Sequence, residues 1–263
     1  MPSDDPALPE TAILTRDDLL HTLERIHVTA PVRADEVTGS TNATAAGLAE
    51  AGAPQWTLVS AGHQTEGKGR LGRTWEDAGR SLLVSFVLRP SLPPGRAGLL
   101  SLLAGAAMAE AIHDVTGVRA GCKWPNDLLR DGCKVGGILL ESRLAGEDLS
   151  FVIVGVGVNL DPPPGVADAA GIGEASLSEL LGAFLTRFHR VYEAAEPPWG
   201  ERVRAAWLPV SSTIGRLVEA TTLEGDVVRG RAVGLDAFGG LRLSTDSGEA
   251  VVGFGEVRHL DGG

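Results

Sequence analysis

The chain has 263 residues, room for one large domain or two unequal ones at ~150 residues per domain. Hydrophobic residues make up 43% and charged residues 22%, a globular balance that excludes long disorder. The net charge of −11 argues against a chain whose main task is gripping nucleic acid or an anionic membrane, so any anion site is local and works against the net field.

Residues 1–14 are Pro-rich and acidic and read as a loose tail without a signal-peptide pattern. Thr15, followed by Asp17 and Asp18, opens a short helix that ends near Ile26. Nothing before residue 38 leaves room for a helix-turn-helix domain. A second helix opens at Ser40 or Thr41 and runs through Ala-rich sequence to Gly52. Thr57 to Ala61 is a strand, Gly62 to Gly79 a polar, Gly-rich loop, and Ser81 to Leu88 a buried strand. Residues 96–116 form an apolar helix lying under a sheet; its nearly apolar run, Ala97 to Ala109, spans 13 residues, short of a bilayer.

From Gly121 to Ser142 two strands are joined at Asp131-Gly132, a two-residue hairpin signal. Phe151 to Val158 is a continuous apolar run, the pattern of a central strand buried on both faces. A Pro/Gly loop covers Asp161 to Gly173, and Ser176-Leu-Ser-Glu179 is a capping box. The helix it opens carries Leu177, Leu180, Leu181, Phe184, Leu185, Phe188 and Val191 at helical spacing. A further short helix holds Trp199 to Trp207. After Pro209 the pattern becomes short strands with Gly turns, that of a small all-β barrel, and a domain boundary falls near residue 210.

Two cysteines, Cys122 and Cys133, are too few for a disulfide scaffold and lack metal-ligand spacing. Placed on one hairpin, they lie roughly 20 Å or more apart at ~3.3 Å per residue. The six His residues form no zinc motif, and no G-x-S-x-G elbow exists. Chemistry in this chain therefore rests on two other constellations.

Gly67-Lys-Gly-Arg-Leu-Gly72 matches G-x-G-x-x-G, yet a strand and not a helix follows it, so dinucleotide binding of the doubly wound kind is disfavoured. Its filling is informative. Lys68, Arg70 and Arg73 stand among glycines that let backbone amides approach a ligand, a trap for phosphate and carboxylate, with Trp75 beside it. The bland alternative is a solvated basic turn. The second constellation is Lys123-Trp-Pro-Asn-Asp127, where Pro125 holds Trp124 extended and Asn126 and Asp127 can orient a ligand or a metal-bound water. The hairpin returns through Lys134-Val-Gly-Gly-Ile138, whose Gly136 and Gly137 again suit close backbone approach.

Ser40-Thr-Asn42, Gln64, Gly67 to Trp75, Lys123 to Asp127, Lys134 to Ile138 and Gly155-Val-Gly-Val-Asn159 occur in the order found in biotin–protein ligases, and the chain resembles that family over roughly residues 35–260. The resemblance implies an α+β fold: a mixed-sheet catalytic domain of the biotin/lipoate-ligase type over residues 31–210, after a tail and short helix over 1–30. A small Src-homology-type β-barrel would then cover 211–263. It implies biotin, ATP and Mg as ligands, biotinyl-5′-AMP as intermediate, and a lysine of a biotin carboxyl carrier domain as acceptor. The chain would work in the cytoplasm as a monomer or weak homodimer, without nucleic acid or membrane.

By the same resemblance Ser40, Thr41 and Asn42 line the biotin pocket, Gln64 bonds the ureido ring, and Gly136 lies against the ligand. Lys68, Gly69 and Arg70 wrap the biotin carboxylate and the phosphate, and Arg73 helps hold the phosphates. Trp75 covers adenine. Lys123, Asn126, Asp127 and Asn159 lie beside the nucleotide, with Asp127 the candidate magnesium ligand. Lys134 sits on the carboxylate and the α-phosphoryl, so Lys134 and Arg70 are the candidate catalytic residues. Two departures stand out. Lys68 replaces the usual Arg, which alone binds bidentately, and Glu66 adds a negative charge where a small residue is usual. A lipoate ligase is disfavoured by the lack of an Arg-Arg-x-Ser-Gly-Gly-Gly stretch, and a non-catalytic biotin sensor by cations that vitamin binding does not need.

Overall fold

The computed structural model describes residues 13–77, 80–196 and 198–260, so the tail expected at the N-terminus lies mostly outside the described residues. α1 (Arg16–Arg25) starts at a reciprocal cap: the Asp18 N–H donates to Thr15 Oγ1 at 3.2 Å and the Thr15 N–H to Asp18 Oδ2 at 2.9 Å. β1 (Val32–Thr38) has no counterpart in the sequence reading. Val32 and Ala34 alternate with Arg33 and Asp35, but Glu36 and the exposed Val37 end the pattern, and the strand exists because it completes the edge of β2 (Leu58–Gln64) in parallel register. β2 runs three residues past the expected Ala61, which carries Gln64 to the strand end. Between them α2 (Thr41–Glu50) opens at Ser40, whose side chain accepts from the Ala43 N–H.

β3 (Ser81–Leu88) is buried at all eight positions. α3 (Gly98–Thr116) follows and ends at Gly117, whose φ of 72° closes the helix in the left-handed region. With the turn before it, the segment Pro94–Thr116 is long and apolar enough to cross a membrane, so the 13-residue run understates its apolar length; here it is a core helix packed on the sheet, with 67% of its most apolar 18-residue stretch buried. The expected two-stranded hairpin has three strands. β4 (Gly121–Lys123) and β5 (Asp127–Arg130) pair antiparallel across a tight turn at Trp124-Pro125-Asn126, where the Trp124–Pro125 peptide is cis. β5 then meets β6 (Cys133–Ala145) at the expected Asp131-Gly132 turn, and β7 (Asp148–Asn159) returns along β6. α4 (Leu177–Glu193) begins at Ser176, which accepts from the Glu179 N–H, and α5 (Trp199–Trp207) has the expected bounds.

The seven strands form one mixed sheet in the order β1-β2-β3-β7-β6-β5-β4. Period-two alternation divides its faces. Val152, Val154 and Val156 of β7 face the core shared with α3 and α4, while Phe151 and Ile153 pack with Ala45 and Ala49 of α2. The next residues on the α2 face, Gly155 and Gly157, have no side chain. Their register partners on β6 are Leu139 and Gly137, and on β3 Ser85 and Leu83. The sheet is hollowed at that point, directly under the N-terminus of α2.

The C-terminal part is a separate antiparallel sheet of β8 (Leu217–Thr222), β9 (Val227–Leu235), β10 (Leu241–Thr245), β11 (Gly248–Val252) and β12 (Gly255–His259), in the order β11-β10-β9-β8-β12. Trp124, 2% exposed, joins the two parts: its Nε1–H donates to Gly239 O at 3.0 Å and its backbone N–H to Thr213 Oγ1 at 3.0 Å. Buried residues of both sheets belong to one contiguous core.

Candidate active site

The hollow is walled by α2, the end of β2, the Gly-rich loop, and the glycine floor of β6 and β7. Its inner end is a hydrogen-bonded cluster. Gln64 Oε1 accepts from the Thr41 N–H at 2.8 Å and from Thr41 Oγ1 at 3.1 Å. Ser85 Oγ lies 2.8 Å from Thr41 Oγ1 and 2.7 Å from Asn42 Oδ1, and Asn42 Nδ2 donates to Glu141 Oε2 at 2.8 Å. Ser40, Thr41 and Asn42 are each 4% exposed, so these partners are what make their burial tolerable. Gln64 is held in place through Asp77, whose buried carboxylate accepts from the Gln64 N–H at 3.0 Å and sits 2.9 Å from His63 Nδ1.

The Gly-rich loop folds back on itself without an α-helix. The Trp75 N–H donates to Gly67 O at 2.9 Å and the Gly69 N–H to Arg73 O at 2.7 Å, around a single 3-10 turn at Arg70–Gly72. A Cβ on Gly67 would sit 2.6 Å from Trp75 O, so only glycine lets the loop close this tightly. Trp75 is driven over the glycine floor, against Gly157 and Gly137, and its buried Nε1–H has no acceptor among the described residues. The space left in the hollow is about 50 Å³.

The outer end of the site is cationic. Lys134 Nζ lies 2.6 Å from Asp127 Oδ1 and 5.8 Å from the Trp75 ring centre. Arg70 donates to Asn126 Oδ1 at 3.2 Å and to Gly255 O at 3.1 Å. Burial pulls the Arg70 pKa down, Asp127 opposes that pull and Arg73 adds to it. Its charge is thus undercompensated, and a bound anion would relieve it. Arg73 is ion-paired with Glu256 of β12, so the C-terminal sheet grips the loop at two points. Asn126 is stitched to β6 through Ile138, donating to its carbonyl at 3.0 Å and accepting from its N–H at 2.9 Å. Beyond Lys123 the groove widens toward Arg119, Arg216 and Arg258.

Ser40, Thr41, Asn42, Gln64, Lys68, Gly69, Arg70, Trp75, Asn126 and Lys134 therefore surround one hollow, and Arg73, Lys123 and Asp127 line the groove that continues from it. Gly136 and Asn159 stand apart. A Cβ on Gly136 would meet Gly157 O and Leu128, so that glycine serves strand packing; Gly137 faces the hollow. Asn159 is buried, with Oδ1 accepting from Ser81 at 3.2 Å. Sequence reasoning did not single out Ser85, Asp77, Glu141 or Glu256. Ser85 had a signal, a polar residue inside the apolar run Ser81–Leu88; the others reach the site only through the fold.

Residues 35–159 match the biotin/lipoate A/B protein ligase family, and residues 213–260 match the biotin protein ligase C terminal domain. The chain is 33% identical over 225 residues to the bifunctional ligase/repressor BirA of Bacillus subtilis, covering 81% of this chain and 69% of that one. It is 34% identical over 235 residues to the biotin--[acetyl-CoA-carboxylase] ligase of Paracoccus denitrificans, covering 84% of this chain and 97% of that one. Among solved structures it superposes on the biotin protein ligase of Aquifex aeolicus in complex with biotin and ATP with a TM-score of 0.68 at 26% identity, covering 87% of this chain and 99% of that one. A polar hollow beside a cationic groove, on a mixed sheet with a small antiparallel sheet behind it, thus comes with sequence similarity along most of the chain, which belongs to the biotin/lipoate A/B protein ligase family.

Proposed function

We propose that the chain is an ATP-dependent biotin–protein ligase, a biotin--[acetyl-CoA-carboxylase] ligase. It would join biotin and ATP into biotinyl-5′-AMP and pass the biotinyl group to a lysine of a biotin carboxyl carrier domain. The observation that carries this is the junction of the two ends of the site, where Lys134 and Arg70 stand between a hydrogen-bonding cluster and a cationic groove.

In the first step a biotin carboxylate oxygen attacks the α-phosphorus of ATP, the α–β P–O bond breaks, and pyrophosphate leaves. The substrate brings its own nucleophile, so the protein has to position two anions and offset their repulsion, roughly 4 kcal/mol for a pair ~4 Å apart at an effective dielectric of ~20. Lys134 leaves Asp127 for the carboxylate and the α-phosphoryl; Arg70, already short of negative partners, takes the same junction. Arg73 and Lys123 hold the phosphates farther out. A magnesium ion bound with ATP takes most of its ligands from phosphates and water and needs only one or two carboxylates, a role that Asp127 fits. Among the described residues no three His, Cys, Asp or Glu side chains converge, so a metal held by protein ligands alone has no counterpart here. In the second step the carrier's neutral lysine amine attacks the acyl carbon, AMP leaves with the bonding pair, and the amine loses a proton.

Biotin is favoured over lipoate by the inner end of the hollow. Thr41, Asn42, Ser85 and Gln64 offer hydrogen bonds that a cyclic urea satisfies and a dithiolane does not. The test is ATP–pyrophosphate exchange. Biotin should support it and lipoate should not, and radiolabelled biotin should pass to a carrier domain. Exchange with lipoate alone would move the chain to the other branch of the family; binding of biotin without exchange would make it a sensor.

A further inference from the structure

Glu141 lies behind the inner end of the hollow, on β6, outside every motif in the sequence, and its hydrogen-bond partner among the described residues is Asn42. We infer that Glu141 is a positioning residue that sets the direction of the hydrogen-bond chain Thr41–Ser85–Asn42 and so determines which polar atoms the pocket turns toward its ligand. This rests on the reading that the inner end of the hollow holds the ureido ring of biotin.

A carboxylate accepts and cannot donate. Asn42 therefore turns its amide nitrogen to Glu141 Oε2, 2.8 Å away, which leaves Oδ1 facing Ser85. Oδ1 can only accept, so the one hydroxyl proton of Ser85 is committed to it across 2.7 Å. Ser85 Oγ is also placed to donate to Thr41 Oγ1 at 2.8 Å, so holding its proton on Asn42 keeps it off Thr41. The Thr41 hydroxyl gives its own proton to Gln64 Oε1 at 3.1 Å, whose second lone pair takes the Thr41 N–H at 2.8 Å. The donors of Asn42 and Ser85 thus point toward Glu141, and that of Thr41 toward Gln64. What remains toward the ligand is a lone pair of Thr41 Oγ1, an acceptor for a urea N–H. Without Glu141 the Asn42 amide is free to turn over, Ser85 gives its proton to Thr41 Oγ1, and the lone pair that the urea N–H would use is taken.

Gly155 supports the assignment. A Cβ there would lie 1.9 Å from Asn42 Oδ1, so β7 leaves this amide the space to stand in one orientation. The register places Glu141 opposite Ile153, on the face that holds Gly155 and Leu139, one pair deeper than the floor of the hollow. Its hydrogen bond goes to Asn42, while Lys134 and Arg70 are held by Asp127, Asn126 and Gly255, so its effect on catalysis would pass through biotin.

The experiment compares Glu141→Leu and Glu141→Gln in biotin-dependent ATP–pyrophosphate exchange. Glu141→Leu should raise KM for biotin about tenfold or more, the scale of a buried hydrogen bond lost with its partner left unpaired, while kcat and KM for ATP stay within about twofold. Glu141→Gln keeps an oxygen that accepts from Asn42 and should bring KM for biotin back to within about threefold of the parent. Ser85→Ala, which cuts the chain in the middle, should raise KM for biotin similarly, and adding it to Glu141→Leu should cost little more. If Glu141→Leu does not fold, Glu141→Ala with Ser85→Ala carries the comparison. An unchanged KM for biotin in a folded Glu141→Leu or Glu141→Ala protein, or equal losses in kcat and in both KM values, would overturn the inference. Parent exchange that ignores biotin would instead overturn the proposed function.

Discussion

Gly155→Ala tests how tightly the hollow is specified. The new methyl carbon would lie 1.9 Å from Asn42 Oδ1 and 2.8 Å from its Cγ, so one group must move. β7 is hydrogen-bonded on both sides, to β3 and to β6, and resists a shift of its backbone. Asn42 therefore gives way, losing its bonds to Ser85 at 2.7 Å and to Glu141 at 2.8 Å in a setting that is 4% exposed. Two hydrogen bonds at about 1 kcal/mol each, plus unpaired buried groups, put the loss at about 2–4 kcal/mol. Overpacking without rotation costs about 1–3 kcal/mol, so both routes destabilise. Urea unfolding followed by circular dichroism measures this, and calorimetric titration with biotin should show affinity down by at least about tenfold. Gly47→Ala is the control. It sits in α2 with nothing within 4 Å of the added carbon and should be stabilising by about 0.4–1 kcal/mol. A Gly155→Ala protein that unfolds within about 0.5 kcal/mol of the parent and binds biotin normally would refute the packing argument.

Lys134→Ala should form biotinyl-adenylate about 10²–10³-fold more slowly, the scale for removing one preorganised charge at a reacting phosphoryl group. With Lys134 37% and Asp127 22% exposed, the lost ion pair should cost under about 1 kcal/mol of stability. Transfer from synthetic biotinyl-5′-AMP should suffer less, and stopped-flow comparison of the two steps separates a charge on phosphorus from a general defect. The hollow above the glycines holds about 50 Å³ with Trp75 in it, well under the ~300 Å³ at which ligand pockets begin, so biotin entry has to displace the ring. Biotin should change tryptophan fluorescence, and Trp75→Phe should abolish that change; an identical change in the variant would place the signal elsewhere. Tyr192, the single tyrosine, has its pKa pushed up to about 12 by burial first and then by Glu193. The raised value means that the folded state keeps a proton the unfolded state gives up, so stability declines as pH rises from ~10 toward about 12. Ultraviolet absorbance titration reads this residue alone, and Tyr192→Phe should flatten the decline.

Much of the organisation was legible because it depends on neighbours in sequence. Thr15 and Ser40 cap helices through residues three positions on, Asp131-Gly132 forms a turn by itself, and the run Ser81–Leu88 is apolar enough to be a strand in any sheet. The cations of the Gly-rich loop and Lys134 could be named for the same reason: glycine and charge in one short stretch have few bland uses.

What the chain could not display locally is whatever depends on a partner far away. β1 is a strand because β2 leaves an edge open, although its own residues alternate only as far as Asp35. Lys123-Trp-Pro-Asn-Asp127 reads as a functional stretch, but Trp124 anchors the C-terminal sheet while Lys123 and Asp127 pair across the turn and line the groove. Arg73 and Glu256 stand nearly two hundred residues apart, and Asn42 and Glu141 nearly one hundred. Sequence determined which residues carry charge and where the backbone bends. Tertiary structure alone decided their partners, because hydrogen bonds and ion pairs act over a few ångströms and the register of β3, β6 and β7 sets which side chains come within that distance.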